Sequence, residues 1–526
     1  MSAPNRVNRQ VELSKLFPHL RAQASGQSQG QGSGQSGPSA LSADLKVLGL
    51  SFDSRHTQSG DLFFAVPGFT ENGTKYLPQA FAKGAVTAVV QKGSAVPAEF
   101  QSRCIEVENV RAAMADAACT FFDHPAKKLK LYGITGTKGK TSTSYLLESC
   151  FRATGKKTAI LGTVECRHPG RVIPSHHTTR EAIELQSFLF ECVEHGVEVV
   201  VMEVSSHALS LDRVRGLEFD GMIFTNLSPD HMDFYKTMEP YYQAKRLLFL
   251  PPYRKPDSLA VTNADDEYGA RLLKDSPGNW CSFGFKAGDY RIEDAVVRPQ
   301  GAAITLVKEV LANGAASGKK SLKLQSQIPG EFTFQNIAAA ATLALYAGCT
   351  DAAVESGIAE LLGVPGRLER VPTSLPFSVF VDFAHSGHAL ANVLKALRSV
   401  CRNRLIVVFG AGGDKDPARR TTQGKVSAEM ADYSVITSDN PRSEDPLKII
   451  EAIETAHKAA GGTQYTVEPD RKKAIEIAIR MAKEGDVVCL AGKGHETGQI
   501  IGDRVIPFDD REEAGKILRS LENWPT

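Results

Sequence analysis

Apolar and polar positions alternate along the chain in two rhythms. From Lys46 on, the runs "LKVLGLSF", "DLFFAV" and "AVTAVVQ" have the length and β-branched content of buried strands, and "LPQAFAKG" between them has helical spacing. They predict a small α/β unit ending near Asp123. The next stretch carries longer continuous runs, "LKLYGIT", "KTAILGTV", "VEVVVMEV", "GMIFTNL" and "SLAVTNAD", separated by helical segments. Continuous runs of this kind, alternating with helices, predict a parallel sheet covered on both faces. Two glycines and a proline in "GVPGRLERV", Gly363 to Val371, punctuate the pattern as a hinge. After it, "FSVFVDF", "RLIVVFG", "YSVIT" and "DVVCLAG" predict further strands with helices between. No short-period repeat is visible. Ahead of these units stands a short amphipathic leader, "VELSKLFPHL". Residues 23–39, "QASGQSQGQGSGQSGPS", cannot recover the entropy of ordering and predict a flexible tether. The expected division is leader and tether over 1–45, then units over 46–125, 126–365 and 366–526.

A length of 526 residues, at roughly 150 per domain, agrees with three such units. Lys plus Arg number 61 and Asp plus Glu 60, so no global field draws the chain to nucleic acid or to an anionic membrane, and any charged ligand must be read by local sites. The nine cysteines include no CxxC pair of a zinc knuckle or redox motif, which fits a reducing cytosol. The N-terminal "MSAPNRVNRQ" has no apolar signal-peptide core, and the run "IAAAATLALYAG", Ile337 to Gly348, reads as a buried helix. A cytoplasmic protein acting as a monomer, without membrane insertion, is expected.

The middle unit carries the first chemistry. "LKLYGIT" runs into "GTKGKTST", Gly136 to Thr143, and then into a helical pattern. A glycine turn between strand and helix presents backbone N–H groups at the positive end of a helix dipole, a cradle for phosphate. Lys140 would reach the outer phosphates and Thr141 would offer a hydroxyl to magnesium. The strict Walker spacing fails at Ile134; Gly133, Gly136 and Gly139 give GxxGxxGKT instead. The expected ligand is ATP, although these residues alone leave GTP open. Two further runs close on polar groups. "VVVMEVSSHAL" brings Glu203, Ser205, Ser206 and His207, and "IFTNLSPDHMDF" brings Asp230, His231 and Asp233. Ligands of parallel sheets bind beyond the carboxyl ends of the strands, so Glu203 and His231 become candidate magnesium ligands. Each cluster alone could be surface polarity closing a strand. Lys245 in "YYQAKRLLF" reads, by itself, as a solvated helix lysine.

In the last unit four strands end in polar motifs, "VDFAHS", "FGAGGDKD", "ITSDNPRSEDP" and "LAGKGHE". If that sheet is parallel, Asp382, His385, Lys415, Asp439, Asn440, Arg442, Lys493 and Glu496 gather at one rim. The planar fork of Arg442 suits a carboxylate or phosphate, Pro441 restrains the backbone beside it, and Asp439 and Glu496 suit an ammonium group. The implied ligand carries both signs, as an amino acid does. Ser443, Glu444 and Asp445 before "PLKIIEAIETAHKAA" would also start a helix, which accounts for the second half of the loop and leaves Asn440 and Arg442 unexplained. "AGKGHE" lacks the spacing of a second nucleotide site.

The ordered motifs "GTKGKTS", "MEVSSHAL", "FTNLSPDHMDF", "YYQAKRLLF", "GEFTFQNIAAAA", "GVPGRLE", "DFAHS", "GAGGDKD", "DNPRSEDP" and "AGKGHE" resemble the Mur ligases, and within them the branch that adds meso-diaminopimelate. The resemblance runs from about Lys46 to the C-terminus. It implies an N-terminal domain for the uridine nucleotide, a central ATPase-like parallel sheet and a C-terminal Rossmann-like domain for the amino acid. It also implies ATP-dependent activation of the D-Glu side-chain carboxylate of UDP-N-acetylmuramoyl-L-Ala-D-Glu as an acyl phosphate, with Mg2+, and attack by the diaminopimelate amine.

Matched position by position, the resemblance implies that Gly136, Thr137, Lys138, Gly139, Lys140, Thr141 and Ser142 hold ATP phosphates, assisted by Asn336 and Arg367. It implies that Thr141, Glu203, His231 and a carbamylated Lys245 serve the metal. Phe52, Ser54, Phe69, Thr70 and Glu71 would face the uridine nucleotide, and His177, Thr178, Thr179, Ser205, Leu211 and Arg213 the rest of that substrate. Lys415, Asp439, Asn440, Pro441, Arg442, Gly492 and Glu496 would line the amino-acid pocket, with Arg442 on the distal carboxylate of meso-diaminopimelate. Some positions depart from the family pattern: His177 replaces a common Asn, Arg180 a Pro or Gly, Leu211 a Gln, Gly387 a Pro, Lys415 an Arg and Asn72 an Asp. Lys415 matters most, because it cannot form an arginine fork. The competing expectations are a ligase of the same family adding L-lysine, and a nucleotide-binding relative without turnover. Folylpolyglutamate synthetases share the central motifs but have no need of "DNPR".

Overall fold

A computed structural model describes residues 9–20, 42–68, 71–175, 177–298, 301–312 and 315–522. The tether at 23–39 and the candidates Phe69 and Thr70 lie outside the described residues.

The first apolar runs form strands because their β-branched and aromatic side chains are buried on both faces. β1 (Val11–Glu12) pairs antiparallel with β2 (Lys46–Val47), and β3 (Gly49–Ser51), β4 (Asp61–Phe64), β5 (Thr87–Gln91) and β6 (Cys104–Val107) form a parallel sheet in sequential order. One face packs on the helix Val110–Phe121, the other on Leu77, Ala80 and Phe81. The leader is part of this core. Leu13, Leu16 and Phe17 are buried against it, and Leu13 donates its N–H to the Leu45 carbonyl at 2.8 Å. Its amphipathic pattern is thus satisfied by the sheet it precedes.

The longer runs form β7 (Lys130–Thr135), β8 (Thr158–Leu161), β9 (Glu165–His168), β10 (Arg171–Pro174), β11 (Val199–Glu203), β12 (Phe219–Phe224) and β13 (Arg254–Asn263). Their order is β10-β9-β8-β11-β7-β12-β13, parallel from β8 to β13, with the β9–β10 hairpin antiparallel at one edge. Register aligns Glu203 with Ile134 and Phe224 with Thr135, so β7, β11 and β12 finish level with one another. That alignment positions the central site.

The chain divides into two compact units, 1–140 with 155–262 and 266–281, and 141–154 with 263–265 and 282–526. β14 (Asn279–Gly284) spans the division; in the second unit β15 (Tyr290–Arg298) leads into β16 (Gly301–Ala312) and β17 (Ala315–Ser326), an antiparallel ribbon whose alternating pattern gives no strand signal as clear as the buried runs. The helix Phe332–Tyr346 contains the long apolar run, with Ile337 to Ala344 buried. No helix among the described residues is long and apolar enough to cross a membrane.

The last sheet is β18 (Glu369–Val371), β19 (Ser378–Asp382), β20 (Leu405–Phe409), β21 (Tyr433–Ile436), β22 (Tyr465–Val467) and β23 (Val487–Ala491), in the order β18-β19-β23-β20-β21-β22 and parallel except for β18. A small hairpin, β24 (Gly498–Ile501) with β25 (Arg504–Pro507), follows β23. The α/β class with parallel sheets expected from the sequence is what the chain adopts.

Candidate active site

The central site begins where β7 stops. Gly136 has φ +143 and Gly139 φ +83, and a Cβ on Gly136 would fall 1.9 Å from Thr225 Oγ1, so only glycine permits this approach to the end of β12. The loop is held from that side. Thr137 N–H donates to the Asn226 carbonyl at 2.9 Å, Lys138 N–H to Asn226 Oδ1 at 3.0 Å, and Thr225 Oγ1 to the Lys138 carbonyl at 2.7 Å. Lys140, first residue of the helix Lys140–Ala153, donates its Nζ to the carbonyls of Gly136 and Thr137 at 3.0 and 3.1 Å. The glycine turn expected between strand and helix is present, with the N–H groups of Thr137 and Lys138 donated to Asn226. Further along the helix, Thr141 and Ser142 are buried, and Thr143 Oγ1 donates to Asn336 Oδ1 at 3.3 Å, seating Asn336 beside the helix.

Lys245 is not the solvated lysine its helix suggested. It is 1% exposed, its Nζ donates to the Gly136 carbonyl at 2.8 Å, and it lies 4.7 Å from the centre of the Tyr241 ring. Burial drives its ammonium well below the usual lysine range, and the nearby Lys140 adds to the effect. His231 sits in the left-handed region at φ +57 and packs edge-on to His207 with ring centroids 4.8 Å apart. Burial lowers both imidazoles, so both are neutral at physiological pH. Neutral imidazole and a neutral amine are the forms that a metal ligand and a carbamylated lysine require.

Glu203 ends β11 and is 1% exposed. Its two oxygens accept from Thr163 N–H at 2.9 Å and Thr163 Oγ1 at 3.0 Å, and a side chain on Gly162 would collide with Oε1. Thr163 Oγ1 also lies 3.1 Å from Thr178 Oγ1, where it can accept a hydrogen bond. Thr179 Oγ1 donates to the Glu203 carbonyl at 2.9 Å and accepts from Ser205 N–H at 3.1 Å; Arg213 Nη1 donates to the Thr179 carbonyl at 3.1 Å and its Nη2 pairs with Glu181 at 2.7 Å. Glu203, Thr178, Thr179, Ser205 and Arg213 thus form one connected group, joined through Thr163 and with Glu181 paired to Arg213, two residues that no motif had flagged. Leu211 is half-buried beside it, and His177 is exposed, with its carbonyl accepting from Ser175 Oγ at 2.7 Å. Phe52 and Ser54 lie in the loop after β3, and Glu71 in the loop after β4. Ser54 Oγ donates to Gln79 at 2.6 Å, Glu71 accepts from Tyr76 at 2.6 Å, and Phe52 packs on that core. Among the described residues no three His, Cys, Asp or Glu side chains converge as a metal-binding group.

The C-terminal rim assembles as the parallel register dictates. Asp382 is buried, accepts from Leu368 N–H at 2.8 Å, and is pushed up by burial against the pull of Arg367. Arg367 stacks 5.3 Å from the Phe383 ring with its buried Nε unpartnered. Asn440 is locked on three sides. Its Nδ2 donates to Glu496 at 2.8 Å, and its Oδ1 accepts from Lys493 Nζ at 3.2 Å and Ile500 N–H at 3.0 Å. Pro441 is buried. Arg442, at φ +51, donates its N–H to the Ile500 carbonyl at 3.1 Å and accepts from Gly502 N–H at 2.7 Å, while its Nη1 donates to the Gly413 carbonyl at 2.8 Å. Its guanidinium forms no ion pair among the described residues. The rest of the loop is structural. Glu444 pairs with Arg420 at 2.7 Å, and Asp445 caps the helix Pro446–Ala459 by accepting from Leu447 N–H at 2.9 Å. Lys415 is exposed. Sequence reading missed Arg471 and Asp510, a fully buried pair beneath Asp439.

The first unit carries a glycine loop at a strand end with two lysines upon it, and the second a parallel sheet whose rim carries both signs, features in keeping with a nucleotide-dependent enzyme. The family models of the Mur ligase family catalytic domain, the Mur ligase middle domain and the Mur ligase glutamate ligase domain match residues 46–122, 134–344 and 366–494. The chain is 42% identical over 477 residues to a UDP-N-acetylmuramoyl-L-alanyl-D-glutamate–2,6-diaminopimelate ligase of Solibacter usitatus, covering 91% of this chain and 94% of that protein. It is 43% identical over 477 residues to the ligase of the same name from Gloeobacter violaceus, covering 90% and 94%. A solved structure of a ligase of that name superposes with TM-score 0.65 at 27% identity, over 98% of this chain and 100% of the other. The chain belongs to the Mur ligase family.

Proposed function

We propose that this protein is an ATP-dependent amide-forming ligase that joins meso-diaminopimelate to the D-Glu side-chain carboxylate of UDP-N-acetylmuramoyl-L-Ala-D-Glu in peptidoglycan precursor synthesis. Residues 46–125 hold the uridine nucleotide, 126–365 the ATP and 366–526 the amino acid, with the enzyme working as a cytoplasmic monomer. Its nine unpaired cysteines fit that compartment.

A carboxylate is a poor electrophile until its oxygen becomes part of a leaving group. The backbone cradle and Lys140 orient the ATP phosphates so that the γ-phosphoryl group passes to the D-Glu carboxylate, releasing ADP and leaving an acyl phosphate. The diaminopimelate amine attacks the acyl carbon, the C–N bond forms, the amine sheds a proton, and phosphate leaves from the tetrahedral intermediate. Thr141, Glu203, His231 and Lys245, the last as its carbamate, would hold Mg2+, which when bound neutralises charge on the transferring phosphoryl oxygens. The neutral imidazole of His231, the buried carboxylate of Glu203 and the depressed lysine amine are suited to that group. Thr163 orients Glu203 through both carboxylate oxygens.

The observation that carries the choice of amine is Arg442. Its guanidinium donates to one backbone carbonyl and forms no ion pair among the described residues, although its charge helps lower nearby Asp414; that suits the distal carboxylate of meso-diaminopimelate and repels the side-chain ammonium of lysine. The test is phosphate release from ATP by the purified protein with UDP-N-acetylmuramoyl-L-Ala-D-Glu and either meso-diaminopimelate, L-lysine or no amine. Release that requires diaminopimelate and is lost in Arg442→Ala is expected. Preference for lysine would overturn the choice of amine, and no release with any amine would make the protein a non-catalytic nucleotide binder.

A further inference from the structure

Beneath the C-terminal rim lies an ion pair to which neither the motifs nor the proposed reaction gives a task. Arg471 opens the helix Arg471–Met481, and its Nε and Nη2 donate to the two carboxylate oxygens of Asp510 at 2.8 and 2.6 Å, both side chains being wholly buried. Nη2 also donates to the Ala491 carbonyl at the end of β23, at 3.0 Å. The remaining nitrogen, Nη1, is buried without a hydrogen-bond partner, and so is Asp439 Oδ1. One glycine adjoins both groups. A Cβ on Gly492 would lie 3.0 Å from Asp439 Oδ2 and 4.0 Å from Arg471 Nη2, and the φ of +116 there further disfavours a side chain. The other charges facing Asp439 are Lys493, whose Nζ is 3.8 Å away, Glu496 and His385.

Side chains of opposite charge flank the same glycine, and each keeps one other polar atom, Asp439 Oδ1 and Arg471 Nη1, without a hydrogen-bond partner. A buried carboxylate with no counter-charge takes up a proton and can no longer receive an ammonium group. Burial pushes Asp439 upward, and Arg471 is the strongest influence in the other direction, ahead of Lys493. A buried pair such as Arg471–Asp510 contributes little net stability compared with apolar packing, so its value lies in what it does to its neighbours.

We propose that Arg471, braced by Asp510, is a positioning residue for the amine substrate: its buried charge beside Gly492 favours the ionised Asp439 carboxylate, ready for the substrate's ammonium group. This rests on the reading that the rim from Asp439 to Glu496 receives the amino acid.

The test uses initial-rate phosphate release by the full-length Arg471→Lys and Asp510→Asn variants, with thermal unfolding of each. For both variants the expected result is a rise of about tenfold or more in KM for meso-diaminopimelate, with KM for ATP and for the UDP substrate within about twofold of the parent; the acid limb of kcat/KM for the amine should move to higher pH in Arg471→Lys and not in Asp510→Asn, because Asp510 itself pushes Asp439 upward. A lower Tm with all three KM values and the acid limb unmoved would make the pair a structural brace and overturn the inference. Should the Arg471 and Asp510 variants not fold, Asp439→Asn carries the test, since it removes the charge that Arg471 is said to hold. An unchanged KM for diaminopimelate in that variant is equally fatal. Failure of the underlying reading looks different, because the parent enzyme itself would then show no diaminopimelate-dependent release.

Discussion

Lys245 Nζ stands 2.8 Å from the carbonyl of Gly136, so a lysine from a distant helix is fastened to the first residue of the phosphate loop. Its amine is buried beside Lys140 and driven toward the neutral form, the form that reacts with carbon dioxide. Lys245→Ala should lower kcat by about 100- to 1,000-fold while the fold persists. Activity of the parent should fall in carbon dioxide-depleted buffer and return with bicarbonate. Steady-state rates with circular dichroism check both, and activity indifferent to bicarbonate would remove the carbamate from the mechanism.

Thr163 spends its N–H and its hydroxyl on the two oxygens of Glu203. Thr163→Val keeps the shape and one of those bonds. If Glu203 serves the metal, kcat should drop by about 10- to 100-fold and the Mg2+ concentration for half-maximal rate should rise. A magnesium titration reads this directly.

The two halves of the loop 437–446 should separate under mutation. Asp445→Ala removes a helix cap and should cost about 1 kcal/mol of stability, with the preference for diaminopimelate intact. Arg442→Lys should leave stability nearly unchanged and raise KM for diaminopimelate by about tenfold or more, because a point charge replaces a planar fork. Urea unfolding and substrate kinetics on the two variants make the comparison.

His495 is pushed down to about 4 by burial and by the charge of Arg367. In the unfolded chain the same imidazole titrates near 6.5, so between pH about 6.5 and about 4 the unfolded state binds more protons and stability falls as the pH is lowered. His495→Gln should remove on the order of 1–2 kcal/mol of that acid-side loss, the ring being partly reached by water. Unfolding free energies across this range decide it; parallel curves for parent and variant would exclude His495 as the source.

Burial also raises thiols, Cys104 to about 11 and Cys119 to about 12. At about pH 8 a thiol reagent should label the native protein slowly and all nine cysteines rapidly in urea.

Much of this was legible in the sequence because buried parallel strands and glycine turns write themselves as contiguous signals. The runs over β7, β11, β12 and the four C-terminal strands, and the cradle at Gly136 to Lys140, follow from local chemistry. Lys245 could be read only through family resemblance, since its spacing is that of any surface helix while its burial is set by packing from the phosphate loop. Thr163 and Glu181 were silent for a related reason: a threonine after a glycine and a glutamate before a helix carry no mark of the carboxylate or arginine they will meet. Arg471 and Asp510 lie 39 residues apart, in helix starts that look like ordinary capped termini. The antiparallel ribbon β15–β17 was unread because its alternating polar face resembles loop composition. The leader's amphipathic face was visible, but not the sheet that would cover it.

The hairpin β24–β25 exchanges backbone hydrogen bonds with Arg442, and its Ile500 N–H anchors Asn440, so the loop read as an amino-acid signature is half of an object whose other half lies some sixty residues downstream. If that loop selects the amine, the selection rests on two separate segments of the chain. Grafting residues 439–442 from a relative with another amine would import the letters without the backbone that pronounces them.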